Sequence, residues 1–200
     1  MTVAGVLLAA GRSQRMGRPK ALLPFHGKTL LQHALQNLRA TSCDLRIVVV
    51  SPEVEKGCWL RDEVDVAVVV NPEPRQGLSS SLRSALDAIA SREAEGCAPV
   101  EGILITLVDQ PLITSEHLQA VLAAGAATGL AATSWPTAFG PPTFLYRSFF
   151  SALKELRGDE GAKKILQANQ DRVRLVDFPD AALDVDDAAA YERLLSGAKA

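Results

Sequence analysis

Acidic residues are missing from the opening stretch of this 200-residue chain: no Asp or Glu precedes Asp44, while Arg12, Arg15, Arg18, Lys20, Lys28 and Arg39 make that stretch net +6. All 23 acidic residues come later, so the remainder is net −8 and the whole chain only −2. A chain this close to neutral has no electrostatic footprint for gripping nucleic acid or an anionic membrane. The asymmetry instead suits one end for an anion and the other, where Asp177, Asp180, Asp184, Asp186 and Asp187 crowd together, for a cation. Cysteine is scarce: Cys43, Cys58 and Cys97 are odd in number and lack CxxC spacing, which excludes a disulfide framework or zinc site and implies thiols in a reducing compartment. Long apolar runs are absent too. Val3 to Ala10 is far short of the roughly 20 residues of a membrane span, and no basic residue precedes it. The expectation is a cytoplasmic protein.

What is present is globular: 48% hydrophobic and 22% charged residues, with 14 Gly and 11 Pro. A chain of this length forms one core, and a single domain over residues 1–200 is expected. Short β-branched runs at Val3 to Leu8, Leu45 to Val50, Val64 to Val70 and Ile103 to Val108 read as buried strands. Between them, Leu30, Leu31, Ala34, Leu35 and Leu38 share one helical stripe, Leu82, Ala85, Leu86 and Ile89 a second, and Leu118, Val121 and Leu122 a third. Apolar strands alternating with amphipathic helices predict a doubly wound α/β fold with a mostly parallel, Rossmann-like sheet. Helices are expected over Arg147 to Leu156, Ala162 to Asn169 and Asp187 to Leu195, and a last strand over Val173 to Val176. Ala131 to Thr143, with Trp135, Pro136, Phe139, Gly140, Pro141 and Pro142, reads as a loop or lid.

In such a sheet, ligands sit at the carboxyl ends of the strands. That rule selects the loops Ala9 to Lys20, Asn71 to Leu78 and Asp109 to Leu112. The first carries Gly11, Ser13, Arg15, Gly17, Arg18 and Lys20. Glycines let backbone N–H groups approach an anion, and Arg and Lys supply the charge that phosphates accept. It is neither a P-loop nor GxGxxG. The second offers Gly77 and the hydroxyls of Ser79, Ser80 and Ser81 at a helix start. In the third, Asp109 ends an apolar strand, where a hard cation such as Mg²⁺ would find a carboxylate. Asp187 is explained as the acidic start of the last helix. His26, His33 and His117, in a turn and on helices, read as structural or solvated.

The string Leu8-Ala9-Ala10-Gly11-Arg12-Ser13-Gln14-Arg15-Met16-Gly17-Arg18-Pro19-Lys20 resembles the signature of the MobA-like nucleotidyltransferases, nearest to molybdenum cofactor cytidylyltransferases. Further matches run through Gln76 to Leu82, Leu107 to Pro111, Gly140 with Pro142, Gly158 to Ala162 and Asp184-Val185-Asp186. The resemblance implies the nucleotide-diphospho-sugar transferase fold and a Mg²⁺-dependent transfer of CMP from CTP to the terminal phosphate of molybdenum-molybdopterin, releasing pyrophosphate. It assigns nucleotide contacts to Leu8, Ala9, Ala10, Gly11, Arg12, Ser13, Lys20, Gly77, Ser79 and Ser80, and catalytic roles to Lys20, Arg15 and Asp109. Metal ligation falls to Asp109 and Asp186, with Asp184 second, and acceptor contacts to Gly140, Pro142, Gly158 and Asp159. An Ala at position 10 goes, in the family, with cytidylyl rather than guanylyl transfer. Lys163 stands where the family usually has Arg, and Pro141 where it has a polar residue. Three alternatives stay open: the same chemistry on another phosphorylated acceptor, such as a sugar or polyol phosphate, a carrier that delivers the cofactor to a molybdoenzyme or its chaperone, or a nucleotide-binding α/β domain with no transferase role.

Overall fold

The computed structural model describes residues 1–11, 17–56 and 65–197. Its centre is β1 (Val3–Ala9), in which all seven residues are buried. A strand without polar alternation must be covered on both faces, and β1 is. Val3, Leu7 and Ala9 join one core layer, while Ala4, Val6 and Leu8 join the other. The flanking strands β4 (Leu45–Val50) and β6 (Gly102–Leu107) both pair parallel with β1, Leu7 facing Val48 on one side and Thr106 on the other. Strand β5 (Ala67–Val70) extends this half in parallel. It begins later than the sequence suggests, and Val64 lies outside the described residues.

One layer is built on α1 (Leu30–Arg39) and α4 (Ser115–Thr128), the other on α3 (Leu78–Ala94). Helix α1 starts with a capping box: Gln32 N–H donates to Thr29 Oγ1 at 3.1 Å, and Thr29 N–H donates to Gln32 Oε1 at 2.8 Å. Its Leu30, Leu31, Leu35 and Leu38 are fully buried or nearly so. Leading into it is a small hairpin of β2 (Pro24–Phe25) and β3 (Lys28–Thr29), turned by His26 and Gly27, both at positive φ. A short α2 (Pro52–Lys56) follows β4. Helices α5 (Phe150–Glu155) and α6 (Ala162–Ala168) complete the second layer, and α7 (Ala188–Leu195), capped by Asp187, packs Tyr191 into the first. None of the described helices is long and apolar enough to cross a membrane.

The segment expected to be a loop or lid is instead a pair of strands inside the sheet, between β6 and the edge. Strands β7 (Leu130–Trp135) and β8 (Ala138–Tyr146) form an antiparallel hairpin, β8 also pairs antiparallel with β6, and β9 (Arg174–Asp177) joins β7 in parallel. The sheet order is β5-β4-β1-β6-β8-β7-β9. Pro141 and Pro142 are accommodated because the β7–β8 register jumps from Ala132↔Thr143 to Thr133↔Gly140, leaving both prolines at the irregularity. The β6 pairing ends at Thr143, so neither proline has to donate a ladder hydrogen bond. Phe144, fully buried, anchors the hairpin: a Cβ on Gly102 or Gly125 would fall 2.4 and 2.2 Å from its ring.

Candidate active site

Strand β1 delivers Ala10 and Gly11 to the carboxyl edge of the sheet. Arg12, Ser13, Gln14, Arg15 and Met16 lie outside the described residues, which takes Arg12, Ser13 and Arg15 of the expected site out of the geometry. The chain resumes at Gly17, φ +65°, and Lys20 opens a single 3-10 turn. Its ammonium lies 2.9 Å from Asp186 Oδ1 and 3.7 Å from Asp109 Oδ2, with only 14% of the lysine side chain exposed. Asp109 follows β6, the strand beside β1. The Asp109 carbonyl accepts from Val185 N–H at 2.9 Å and Gln110 Nε2 donates to Ala181 O at 3.2 Å. Those two stitches carry Asp184 and Asp186 from the far end of the chain to Lys20.

Two carboxylates, Asp109 and Asp186, thus share one ammonium, and the charge of Asp184 is felt beside them. Burial raises the Asp109 pKa, with Lys20 opposing and Asp186 adding to the rise. Asp184 is pushed up to about 7, first by burial and then by the negative charge of Asp109 and Asp186. Among the described residues no ready-made cage of three metal-binding side chains exists. The donor set nevertheless fits a hard divalent cation, which takes one or two carboxylates and completes its shell with phosphate oxygens. A cation there would also relieve the repulsion that raises Asp184.

Beside this cluster, a cavity of about 500 Å³ opens at the carboxyl ends of β1, β4 and β5, lined by Ala10, Ser51, Glu53, Pro72, Glu73 and Gln76 among others. It is of the size that small-molecule ligands occupy. Leu8 and Ala9 are buried strand residues, so only their backbone is available, whereas Ala10 reaches the cavity wall. Sequence reasoning selected the Asn71 to Leu78 loop but not Glu73 and Gln76, or Ser51 after β4. Position at a strand's carboxyl end was the signal that could have found them.

Gly77, Ser79 and Ser80 do not line that cavity; they hold its wall. Gly77 has φ +83°, and a Cβ there would fall 2.4 Å from the carbonyl group of Gly158 and 2.5 Å from Asp159 Oδ1. Ser79 N–H donates to Gly158 O at 3.1 Å, and its buried hydroxyl has no partner among the described residues. The Ser80 hydroxyl lies 2.7 Å from Gly77 O and 3.1 Å from Glu73 O, and accepts from Asn71 Nδ2 at 2.8 Å. So the structure brings Gly158 and Asp159 onto the loop of Gly77 and Ser79. Gly140 and Pro142 lie in β8, where Gly140 faces the Trp135 ring and Pro142 O accepts from Thr133 Oγ1 at 2.9 Å. His117 is structural, as expected: its Nε2 is 2.8 Å from Thr133 Oγ1 and burial lowers its pKa to about 4.

Residues 5–173 match the family model of the MobA-like NTP transferase domain. The chain is 33% identical over 177 residues to the purine catabolism protein PucB of Bacillus subtilis, covering 83% of this chain and 81% of that one. It is 29% identical to the nicotine blue oxidoreductase of Paenarthrobacter nicotinovorans, over 96% of both. With a probable molybdenum cofactor guanylyltransferase of Rhodopirellula baltica it shares 36% identity over 57% of this chain and 51% of the other. The manganese complex of Rv0371c from Mycobacterium tuberculosis superposes with a TM-score of 0.77 at 29% identity, covering 98% of each chain. The chain belongs to the MobA-like NTP transferase family and is a nucleotidyltransferase.

Proposed function

We propose that this nucleotidyltransferase moves CMP from CTP to the terminal phosphate of a molybdenum-molybdopterin acceptor, using Mg²⁺ and releasing pyrophosphate. The observation that carries the reading is Lys20 set between Asp109 and Asp186 beside the cavity that Ala10 lines. An oxygen of the acceptor phosphate attacks the α-phosphorus of CTP, the bond to the β-phosphate breaks, and pyrophosphate leaves with the electron pair. The attacking phosphate is already ionised near neutral pH, so no side chain has to remove a proton. The difficulty is negative charge crowded at one phosphorus, and Lys20 supplies positive charge there without reorganising. Asp109 and Asp186 would hold the Mg²⁺, with Asp184 beside them. Bound there, the cation neutralises phosphate oxygens. The β1 loop would carry the triphosphate on its backbone, with Arg15 as a second cation. Gly158 and Asp159, which pack on Gly77, would bring acceptor and nucleotide together, and Gly140 and Pro142 are assigned to the acceptor through the family resemblance. Cytidylyl preference is supported by Ala10, and a molybdopterin acceptor by the relative named as a guanylyltransferase.

The test is pyrophosphate release by the purified protein with Mg²⁺, comparing CTP, GTP, ATP and UTP with and without molybdenum-loaded molybdopterin. Release that needs both CTP and the cofactor supports the reading. Release with GTP alone, or with a sugar phosphate in place of the cofactor, overturns its nucleotide or its acceptor. Delivery to a molybdoenzyme or its chaperone is a separate expectation, checked by whether an Asp109→Asn variant captures the apo-enzyme.

A further inference from the structure

One wall of the 500 Å³ cavity is held by side chains to which neither the family resemblance nor the reaction above assigns a role. Arg83, on α3, donates from Nη1 to the carbonyl of Leu156 at 2.8 Å and from Nη2 to Gln76 Oε1 at 3.1 Å. Gln76 in turn donates from Nε2 to Glu73 Oε2 at 2.7 Å. Both ends of the Gln76 amide are therefore committed, and its orientation follows: a flip would set its NH₂ against a guanidinium and its oxygen against a carboxylate. The Glu73 backbone is pinned as well, its N–H donating to Asn71 Oδ1 at 2.9 Å while Asn71 Nδ2 reaches Ser80 and Ser81. Glu73 is thus a solvent-exposed carboxylate on the wall of the cavity, tied by Gln76 through its side chain and by Asn71 through its backbone. Gln76 engages one of its oxygens, and the other, Oε1, has no partner among the described residues.

An ionised carboxylate only accepts hydrogen bonds. Facing a nucleobase, it pairs with an amino group, as carboxylates do with cytosine N4, and it repels the carbonyl oxygen that uracil carries at the same place. We infer that Glu73 is a specificity-determining residue that selects an amino-bearing base over uracil, and that Gln76 and Arg83 are positioning residues that hold its carboxylate. This deepens the proposed use of CTP and rests on the cavity being the seat of the base. Arg83 also ties that seat to Leu156, just before the Gly158 turn, so the base wall and the acceptor-side turn are fixed to one another.

The experiment is equilibrium binding of CTP and UTP, each with Mg²⁺, to the full-length protein and to its Glu73→Gln and Arg83→Met variants. The parent should bind CTP at least about tenfold more tightly than UTP, the size of preference a single well-made polar contact gives. In Glu73→Gln, whose amide can donate or accept, the two affinities should converge to within about threefold, chiefly because UTP gains. Arg83→Met should shift the ratio the same way by a smaller factor at an unchanged melting temperature. A merely structural Arg83 would weaken both nucleotides equally. A parent without preference for CTP, or a Glu73→Gln variant that keeps the parental ratio, overturns the inference. The two readings fail separately. Parental protein that turns over CTP while Glu73→Gln keeps its binding ratio sinks the role of Glu73 alone, whereas converging affinities beside a parent that releases no pyrophosphate sink the reaction alone.

Discussion

The parallel half of the sheet, β5-β4-β1-β6, and the mixed half, β8-β7-β9, are built to different rules. In the first, β1 and β6 are buried nearly throughout, β4 is buried from Ile47 to Val50, and the edge strand β5 is apolar but only half-buried. In the second, the strand that joins the halves carries two prolines and a glycine, and its stability comes from one aromatic ring set against Gly102 and Gly125. The lesson is that the half bearing the glycine-rich basic loop is specified locally, strand by strand. The half expected to meet the acceptor is specified by what packs against it.

Removing the ring should break that contrast most sharply. Phe144→Ala is expected to cost about 3–5 kcal/mol, the usual range for a fully buried phenylalanine. Chemical denaturation should show the loss, with activity falling only as folded protein does. Lys20→Ala sets the opposite case in the parallel half: folding should persist while pyrophosphate release drops by about 10² to 10³-fold, as when one well-placed charge donor is removed. Lys20→Arg, restoring charge in a bulkier shape, should recover only part.

Gly77→Ala probes the seam between the halves. Its φ of +83° disfavours any side chain, and the new Cβ would press on the Gly158 carbonyl at 2.4 Å. A loss of about 1–3 kcal/mol is expected, together with weaker binding of both substrates, whereas Gly27→Ala, in open space, should show only the backbone penalty.

The smallest effects are pH dependences of opposite sign. Asp184 titrates near 7 in the folded protein, above the ordinary aspartate value of 3.8. Its contribution to stability is therefore complete below about pH 4 and is lost as pH rises through about 7. Without divalent cation, Asp184→Asn should melt a few degrees above the parent at about pH 8, and the gap should close toward about pH 4. His117 titrates near 4 rather than 6.5. Its contribution is present above about pH 6.5 and lost as pH falls through about 4, so His117→Gln should flatten the acid limb of the melting profile. Melting curves across pH would separate the site from the mixed half.

Much of the fold was legible because burial on both faces leaves a local signature. Val3 to Leu8, Leu45 to Val50 and the α1 leucines declared themselves by composition and period. The hairpin did not, since Pro141, Pro142 and Gly140 are turn residues by any local measure, and only the register jump against β7 makes them strand. In the site, Lys20 and Asp109 were legible as a basic residue in a glycine loop and an acid at a strand end. Glu73 and Arg83 carry no motif, Gln76 only opens the matched stretch Gln76 to Leu82, and the arrangement of the three exists only once α3 and the Leu156 carbonyl are in place.

By itself, then, the sequence determined the alternation of apolar strand and amphipathic helix, the glycine-rich basic loop and the separation of charge between the two ends. Those properties reside in neighbouring residues and survive in any fold that buries them. Tertiary structure alone decided that Asp186 meets Lys20 across 166 residues, that Val185 hydrogen-bonds to Asp109, and that a proline-bearing segment pairs with β6. Contacts of that kind form between backbone and charged groups far apart in the chain, where no residue's own neighbours record the partner it will have.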